Sequence, residues 1–366
     1  MHHSPRDKRS HGVRIDQVIP VLRRKNAVGI HTLNVQQALW GEGIESEIFY
    51  EEAEAETSKL GKPLSEFADA GENRRVLFQA AIGSPAFEVV RRMSDPLVIN
   101  YHNITPSELI APWEPEIAAV GLSNGRKQLS NLVRHCDLAL AVSTYNEREL
   151  IDLGFKHTAV APLLIDMRPS SDIDEELLRH LTANKTGASL LYVGQISPHK
   201  APHDLVAMLA LLREQFLPEA TLTLVGQSLG QNYPEALEAY ISNLGLSDAV
   251  HIVGEASPRV LEAYWRSADL YVSASEHEGF CAPLIEAMGH ELPIVAFASA
   301  AIPDTVNDAG LLLRSKEPLV FAGAVNRVLG DEVLRHQLVS AGRSRAQDFD
   351  LEKSTRQFLD ALMQRD

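Results

Sequence analysis

Cysteine is scarce in this 366-residue chain, positive charge is in deficit, and no long apolar run is present. The two cysteines, Cys136 and Cys281, stand far apart, and no CxxC or other metal-ligand spacing occurs, so the sequence predicts no metal site. Two isolated cysteines are typical of buried thiols in a protein from a reducing compartment. No stretch reaches the roughly 18 apolar residues that a membrane-spanning helix requires.

Acidic residues outnumber basic ones by 49 to 34, which gives a formal net charge of −15. A general nucleic-acid binder needs a basic face to neutralise phosphate charge, so the composition argues against that class. The first residues are polar and lack an apolar run behind them, which predicts no signal peptide. We therefore expect a cytoplasmic protein. Peripheral contact with the inner face of a membrane stays open through Arg6, Lys8 and Arg9.

Short apolar runs alternate with amphipathic helical patterns along most of the chain. Continuous apolar runs separated by helices predict the strands of a parallel sheet that is covered on both faces. The first series of such strands comprises residues 17–22, 47–49, 76–80, 97–101, 138–142 and 158–161. The second series comprises residues 189–193, 221–225, 250–253, 270–273 and 293–296.

A segment rich in turn-forming residues, 162–187, separates the two series. This break predicts an α/β protein of two Rossmann-like, doubly wound domains that face a central cleft, with residues 1–165 in the first and 166–345 in the second. Residues 346–366 are expected to form a helix that crosses back to the N-terminal domain. Since ligands of open parallel sheets bind beyond the carboxyl ends of the strands, the site is expected in the cleft.

The strand predicted over 270–273 leads into a loop that suits a sugar and a phosphate. Gly279 permits close approach of the backbone, and Pro283 suits the first turn of a helix, whose free N–H groups attract a phosphate. Glu286 is expected in that first turn, where its carboxylate can accept two hydrogen bonds from a ribose diol. Glu278 can receive sugar hydroxyls. A helix-dipole role for Glu286 and a solvated Glu278 are the alternatives.

Glu278 and Glu286, separated by seven residues in the segment EGFCAPLIEAM, resemble the E-x7-E signature of retaining glycosyltransferase family four, whose members have the GT-B fold. Other stretches resemble this family too, at 27–31, 101–106, 193–200, 225–226, 268–273 and 301–310. The resemblance implies that the N-terminal domain receives the acceptor and that the C-terminal domain binds a nucleotide sugar.

The resemblance also implies roles for individual residues of the C-terminal domain. Glu286 is expected to hold the nucleotide ribose, and Glu278 to contact the donor sugar as a catalytic residue. Backbone groups that follow Glu278 are expected to contact the sugar or the phosphate, at Gly279, Phe280 and Cys281. The loop at Gly254 and Glu255 is where we expect the nucleobase.

Two positions near the end of the first strand of the C-terminal domain bear on the diphosphate. Lys200 matches a lysine that grips the diphosphate in the family, whereas Gln195 stands where an arginine is usual. Glutamine can hydrogen-bond a phosphate but brings no charge. Arg23, Arg24 and Lys25 follow the first strand of the chain, and we hypothesise that at least one contacts the donor diphosphate or a phosphate on the acceptor. The alternative is a solvated loop.

In the N-terminal domain, the resemblance places Gly29 against the donor phosphate or near the acceptor. His102 follows the strand predicted over 97–101 and is expected to contact the transferred sugar. A structural histidine that ties the following turn is the alternative. The predicted catalytic residues are therefore His102, Lys200 and Glu278.

The resemblance implies transfer of a sugar from a UDP- or GDP-linked donor to a hydroxyl of a glycan or lipid-linked glycan acceptor, with retention of configuration. No cofactor is implied beyond the donor itself. Because the sequence offers no convincing carboxylate nucleophile, we expect front-side attack without a metal. A sugar-nucleotide epimerase or phosphorylase on the same fold, or a non-catalytic sugar-nucleotide-binding protein, are the alternatives. The nucleobase, sugar, acceptor and oligomeric state cannot be read from the sequence.

Overall fold

The computed structural model describes residues 14–24, 26–68 and 74–364, which form two α/β domains, each with one parallel sheet. The predicted role of Lys25 and that of the basic residues Arg6, Lys8 and Arg9 lie outside the described residues. Two Rossmann-like domains that face a cleft are thus confirmed as the fold. Within the described part of the chain, every helix is too short or too polar to span a bilayer.

The N-terminal domain is built on a seven-stranded sheet in the order β3-β2-β1-β4-β5-β6-β7. Its strands are β1 (Arg14–Leu22), β2 (Ile48–Ala53), β3 (Lys62–Pro63), β4 (Arg74–Ala80), β5 (Leu97–Tyr101), β6 (Leu138–Ala141) and β7 (Thr158–Val160). The helices of this domain are α1 (Ala27–Gly41), α2 (Ala86–Arg91), α3 (Pro115–Ile117), α4 (Ser123–Asn131) and α5 (Thr144–Leu153). Leu77 and Phe78, consecutive in β4, enter separate apolar clusters because successive side chains face opposite sides of a covered sheet.

The C-terminal domain has a six-stranded sheet in the order β10-β9-β8-β11-β12-β13. Its strands are β8 (Ser189–Val193), β9 (Thr221–Val225), β10 (Val250–Gly254), β11 (Leu270–Ser273), β12 (Ile294–Phe297) and β13 (Leu311–Leu313). Its helices are α6 (Glu175–Ala183), α7 (Pro202–Gln215), α8 (Asn232–Asn243), α9 (Pro258–Ser267), α10 (Ala282–Gly289), α11 (Ile302–Val306), α12 (Pro318–Gly330) and α13 (Glu332–Ala346). Strand order reverses between β8 and β11, so the loops that follow these two strands border the crevice where such sheets bind ligands.

The last helix, α14 (Leu351–Met363), packs on the sheet of the N-terminal domain. Phe358 and Leu362 are fully buried there, in one cluster with Ile15. The guanidinium of Arg75 donates a hydrogen bond of 2.8 Å to the carbonyl oxygen of Leu362. The end of the chain therefore ties the C-terminal domain back to the N-terminal one.

The helical pattern of residues 115–135 predicts a single helix, and this prediction is wrong in one respect, because a π-helical turn at 118–122 separates α3 from α4. The Gly83 N–H donates to the Gly121 carbonyl oxygen at 2.8 Å. A Cβ on Gly125 would lie 2.7 Å from the Gly83 nitrogen. This close approach of the β4–α2 loop draws one carbonyl out of the helical pattern, which a helical periodicity does not reveal.

Candidate active site

The loops after β5 and β11 touch across the cleft. Nε2 of His277 lies 2.9 Å from Oδ1 of Asn103, so the ring donates to the amide oxygen. A Cβ on Gly279 would lie only 2.6 Å from the Cβ of Asn103 and 3.1 Å from the His102 carbonyl oxygen. Glycine at 279 therefore lets the loop of residues 274–281, called the donor loop because the sequence predicts that it binds the donor, close onto the loop that carries His102. Glu278 and His102, each next to a touching residue, thus border the same cleft.

A second contact between the domains lies at the start of α8. The buried carboxylate of Glu114 accepts a hydrogen bond of 3.1 Å from the Tyr233 backbone N–H. The Asn232 amide donates to the Trp113 carbonyl oxygen at 2.9 Å, and the rings of Trp113 and Tyr233 meet edge to face. A carboxylate at a helix N-terminus is stabilised by the helix dipole. The N-terminal domain therefore supplies the cap of a C-terminal helix and helps to set the width of the cleft.

Lys200 and Glu278, predicted from separate motifs, form an ion pair with 2.7 Å between Nζ and Oε2. Lys200 ends a short helical turn after β8, and Glu278 lies in the loop after β11. Their side chains are only 17% and 11% exposed, so water screens the pair weakly. The structure thus brings a fixed cation and a fixed carboxylate to the switch point of the sheet.

The donor loop enters α10 with unused backbone donors. No described residue accepts a hydrogen bond from the N–H groups of Gly279, Phe280 and Cys281. Cys281 takes a φ of 67°, in the left-handed region, where the chain turns into the helix. Such consecutive free N–H groups at a helix start suit an anion.

The side chains of Phe280 and Cys281 belong to the core instead. The Phe280 ring is 5% exposed and meets the Phe349 ring edge to face at 5.2 Å. The hydroxyl of Thr305 donates to the Phe280 carbonyl oxygen at 2.6 Å. Burial raises the pKa of the Cys281 thiol well above its usual range, so it is no nucleophile. If these two residues contact a nucleotide sugar, they must do so through their backbone N–H groups.

Glu286 lies in the second turn of α10, not the first as predicted, because the helix begins at Ala282. This excludes the helix-dipole alternative, which applies to a first turn. Burial, and secondly the charge of Glu262, raise the pKa of Glu286 to about 7. Among the described residues the Glu286 carboxylate has no hydrogen-bond partner. It is a half-buried acceptor that is available to a diol.

Behind Glu286, a polar cluster holds α10 in place. His290 lies 2.7 Å from the Glu286 carbonyl oxygen through Nδ1 and 3.1 Å from Glu262 through Nε2. Its ring stacks on that of Trp265, with 5.3 Å between the ring centroids. Glu262 also accepts from the Ser170 N–H at 3.0 Å, which links the segment between the domains to the helix that carries Glu286.

Gln195 is exposed, and its carbonyl oxygen accepts a hydrogen bond of 3.1 Å from the Tyr192 hydroxyl. Gly254 has a φ of 75°, and its carbonyl oxygen accepts from the Gly226 N–H at 2.8 Å. Glu255 beside it is exposed. The loops after β8, β9 and β10 therefore form one edge of the cleft. Nucleobase and phosphate contacts at these residues stay predictions.

Local packing alone requires a glycine at position 29. A Cβ at this position would lie 1.8 Å from the Arg23 carbonyl oxygen, so only glycine lets the β1–α1 loop fold over the helix. The Gly29 N–H donates to the Asn26 side chain at 2.7 Å, which caps α1. A phosphate contact through this N–H would have to displace Asn26. Arg23 and Arg24 are exposed, and Arg23 lies 3.8 Å from a carboxylate oxygen of Glu54.

His102 lies at the end of β5, and Nε2 of its ring is 2.6 Å from Oε1 of Gln79. Burial lowers the pKa of His102 to about 3, so the ring is neutral. The His31 ring meets it edge to face at 5.1 Å. Gln79 is fully buried, and sequence analysis missed it. The available signal was a polar residue inside an apolar strand.

No group of three or more histidine, cysteine or acidic side chains in the described ranges is arranged to hold a metal ion.

Comparison with known proteins identifies relatives of the chain and of its C-terminal domain. The family described as glycosyl transferases group 1 matches residues 174–345. A D-inositol 3-phosphate glycosyltransferase of Kineococcus radiotolerans is 30% identical over 281 residues, which cover 70% of this chain and 63% of that protein. The protein of the same name from Jonesia denitrificans is 33% identical over 170 residues, which cover 44% and 40%. The chain therefore spans less than two thirds of the length of either relative.

Solved structures resemble the chain over nearly its whole length. Anabaena HepE in complex with UDP-glucose superposes with a TM-score of 0.74 at 20% identity, covering 95% of this chain and 99% of that one. A sucrose-phosphate synthase from Thermosynechococcus elongatus gives a TM-score of 0.74 at 18% identity, covering 95% and 98%. At these identities the likeness concerns the fold. The chain has the GT-B fold, and its C-terminal domain, over residues 174–345, belongs to the group 1 glycosyl transferases.

Proposed function

We propose that this protein is a retaining glycosyltransferase that moves a sugar from a UDP-sugar to a hydroxyl of a glycan or lipid-linked glycan. The proposal rests on the arrangement of these residues around the cleft. Lys200 and the free N–H groups that follow Glu278 lie on one side of the cleft, at the start of the helix that carries Glu286, and the loop that begins with His102 lies on the other side. These groups match a diphosphate, a ribose diol and a sugar in chemistry and in order. HepE, which has the same fold, was solved with UDP-glucose, which makes UDP-glucose the first donor to test.

Positioning and charge stabilisation account for the proposed catalysis. The bond between the anomeric carbon and the diphosphate oxygen breaks while the acceptor oxygen bonds to the same face of that carbon. The acceptor proton passes to the departing phosphate oxygen. Lys200 and the N–H groups of residues 279–281 stabilise the negative charge that grows on the diphosphate. The ion pair with Lys200 makes the Glu278 carboxylate a poor nucleophile. We therefore propose that Glu278 binds sugar hydroxyls.

The contacts between the domains suit this chemistry. A reaction through an oxocarbenium-like state must exclude water, or the donor is hydrolysed. The Asn103–His277 bond and the fit of Gly279 against Asn103 close the cleft on the donor-loop side. We infer that the described conformation is close to the one in which transfer occurs.

Release of the nucleotide tests the proposal. The full chain is incubated with UDP-glucose or GDP-mannose, alone and with acceptors that include glycans, lipid-linked glycans and inositol phosphate, the last suggested by the names of the relatives. Acceptor-dependent release of UDP with an α-linked product is expected. Conversion of the donor without acceptor indicates an epimerase, and a requirement for inorganic phosphate indicates a phosphorylase. Tight binding without turnover on any acceptor indicates a non-catalytic protein.

A further inference from the structure

The chain crosses back to the N-terminal domain between α13 and α14, at residues 347–350, here called the crossover segment. Arg345, in the last turn of α13, lies just before it. Its guanidinium carbon lies 4.7 Å from the centre of the Phe349 ring, and Nη1 donates to the Asp348 carboxylate at 2.9 Å. The Arg345 side chain is only 23% exposed. Arg345 therefore holds two residues of the crossover segment in a partly buried cluster.

The same guanidinium binds the end of α11. Nε of Arg345 donates to the Thr305 carbonyl oxygen at 3.1 Å, and Nη2 donates to the Asp304 carbonyl oxygen at 2.8 Å. The last carbonyl oxygens of a helix have no partner within the helix, so a planar guanidinium suits this position. Each of the three guanidinium nitrogens thus donates to an acceptor, which fixes the orientation of the group.

Two partners of Arg345 hold Phe280 of the donor loop. The Thr305 hydroxyl donates to the Phe280 carbonyl oxygen at 2.6 Å, and the Phe349 ring meets the Phe280 ring edge to face at 5.2 Å. The Phe280 carbonyl and the Cys281 N–H belong to one planar trans peptide, in which they point in opposite directions. The bond from Thr305 therefore aims the unused Cys281 N–H away from the core of the domain.

The cluster around Arg345 also reaches the N-terminal domain. The Asp304 carboxylate accepts a hydrogen bond from the hydroxyl of Thr144, the first residue of α5. The Asp348 carboxylate accepts one of 2.9 Å from Lys353 of α14. Both α5 and α14 pack on the N-terminal sheet. A shift of that domain is thus transmitted to Arg345 and, through its partners, to the donor loop.

We propose that Arg345 is a positioning residue that acts through Thr305 and Phe349 to aim the N–H groups of residues 279–281 at the diphosphate of the donor. This inference rests on the proposed function for the identity of the ligand. It gives the crossover segment a task beyond joining two helices. The phosphate-binding geometry of the donor loop depends on a cluster that both domains hold in place.

Binding of UDP and of uridine to the full chain tests this role. Arg345→Met keeps the apolar stem and removes the guanidinium, and Thr305→Val keeps the side-chain shape and removes the hydroxyl. Each variant should weaken UDP by about 3- to 10-fold, the loss of one hydrogen bond, and leave uridine within about twofold, since uridine lacks the phosphates. A general loss of structure would weaken both ligands alike. The second variant serves if the first fails to fold.

Arg343→Met is the matched control. Arg343 lies in the same last turn of α13, and its Nη2 pairs with Oε1 of Glu291 at 2.7 Å. This variant also loses a guanidinium–carboxylate pair but keeps the contacts of Arg345. UDP and uridine should bind to it as they bind to the wild type.

Backbone NMR observes the proposed effect without a ligand. The chain has only two cysteines, so labelling with 15N-cysteine gives two amide signals, and Cys136→Ala identifies that of Cys281. Arg345→Met and Thr305→Val should move or broaden the Cys281 signal and leave that of Cys136 in place. Arg343→Met should change neither signal. UDP should shift the Cys281 signal of the wild type.

Three results would overturn the positioning role. They are a Cys281 signal that neither Arg345→Met nor Thr305→Val changes, equal weakening of UDP and uridine, and UDP affinity that stays at the wild-type value in both variants. If the wild type binds no nucleotide, the proposed function fails. The Cys281 signal of the free protein still decides whether Arg345 controls the donor loop.

Discussion

Nζ of Lys200 lies 2.7 Å from Oε2 of Glu278, so the cation that is predicted to grip the diphosphate already has a carboxylate partner. The pair joins two loops of the C-terminal sheet at its switch point. A bound diphosphate would compete with Glu278 for the ammonium group, and a bound sugar would compete with Lys200 for the carboxylate. The two residues should therefore respond differently to UDP and to UDP-sugar.

Lys200→Ala should weaken UDP binding by at least about 10-fold, because a charge-assisted contact is lost and Glu278 is left without its partner. Glu278→Gln should leave UDP binding unchanged or tighter, since it frees the lysine, and should weaken only UDP-glucose. Isothermal titration of both ligands measures the difference. Lys185→Ala, which breaks a pair with Asp269 elsewhere in the same domain, is the control. Equal loss of UDP affinity in both site variants would contradict this prediction.

The pH dependence of donor binding should report on Glu286. Its pKa is raised to about 7 by burial and the Glu262 charge, and only the ionised form accepts from both ribose hydroxyls. UDP-glucose affinity should therefore rise between pH 6 and 8 with a midpoint of about 7. UDP-glucose is preferred to UDP because a terminal phosphate titrates near pH 6 itself. Glu286→Gln should bind more weakly and without this step. A step that persists in the variant would have to come from another group.

The same carboxyl should make stability depend on pH. A glutamate whose folded pKa lies above its ordinary value of about 4.3 favours folding below that value, and this contribution is lost as pH rises through the folded pKa of about 7. Glu286→Gln imitates the protonated form. It should therefore match the wild type near pH 4 and exceed it at pH 8 by about 1 to 2 kcal/mol, allowing for partial exposure. Urea unfolding at the two pH values is the measurement, and a variant less stable at pH 8 would contradict the assignment.

Gly279→Ala should impair closure of the domains. The added Cβ would lie 2.6 Å from the Asn103 Cβ on the opposite domain, a distance that real contacts do not reach. We expect at least about a 10-fold loss of transfer rate, because a small displacement of reacting groups is costly, with little change in the thermal midpoint. Gly323→Ala in α12 is the control, since its Cβ would meet nothing within 4 Å. Normal turnover in Gly279→Ala would show that the contact between the two loops is dispensable.

Gln195→Arg should increase the affinity for the diphosphate of the nucleotide. Gln195 is exposed at the edge of the cleft, where an arginine is usual in the resembling family, and a guanidinium can bind phosphate through two parallel hydrogen bonds. UDP should bind about 3- to 10-fold tighter, with a steeper dependence on salt. Gln337→Arg adds the same charge at an exposed position in α13 and should change neither quantity. Unaltered UDP affinity in Gln195→Arg would show that position 195 does not reach the phosphates.

Much of the C-terminal site could be predicted because it is local in sequence. Glu278, Gly279 and Glu286 lie on one strand–loop–helix unit, so their spacing already determines their order along the cleft. The sequence predicted that the loops of Lys200 and Glu278 lie near each other, because loops on either side of a topological switch point are neighbours. It did not predict that the two side chains form an ion pair. The prediction that Glu286 lies in the first turn of its helix was wrong, because the helix starts at Ala282, one residue before Pro283, and Glu286 falls in the second turn.

The N-terminal side was less predictable because its contacts join distant strands. Gln17 and Gln79 stand 62 positions apart and meet only because β1 and β4 are neighbours in the sheet. Asn103 and His277 stand 174 positions apart and meet only across the cleft. Gly29 was expected to contact the donor phosphate or lie near the acceptor. Its close packing against the Arg23 carbonyl oxygen also requires a glycine at this position, and no sequence motif shows that requirement.

The sequence by itself determined the two α/β domains, the position of the cleft and the donor loop, because apolar periodicity and glycine and proline positions act over short distances. The tertiary structure alone decided the partners of the charged and polar groups. Strand register and domain docking pair Lys200 with Glu278, place the buried amide of Gln79 against His102, and set the half-buried surroundings that raise the pKa of Glu286. Hydrogen bonds and pKa values depend on neighbours in space, and those neighbours exist only once the sheets are assembled.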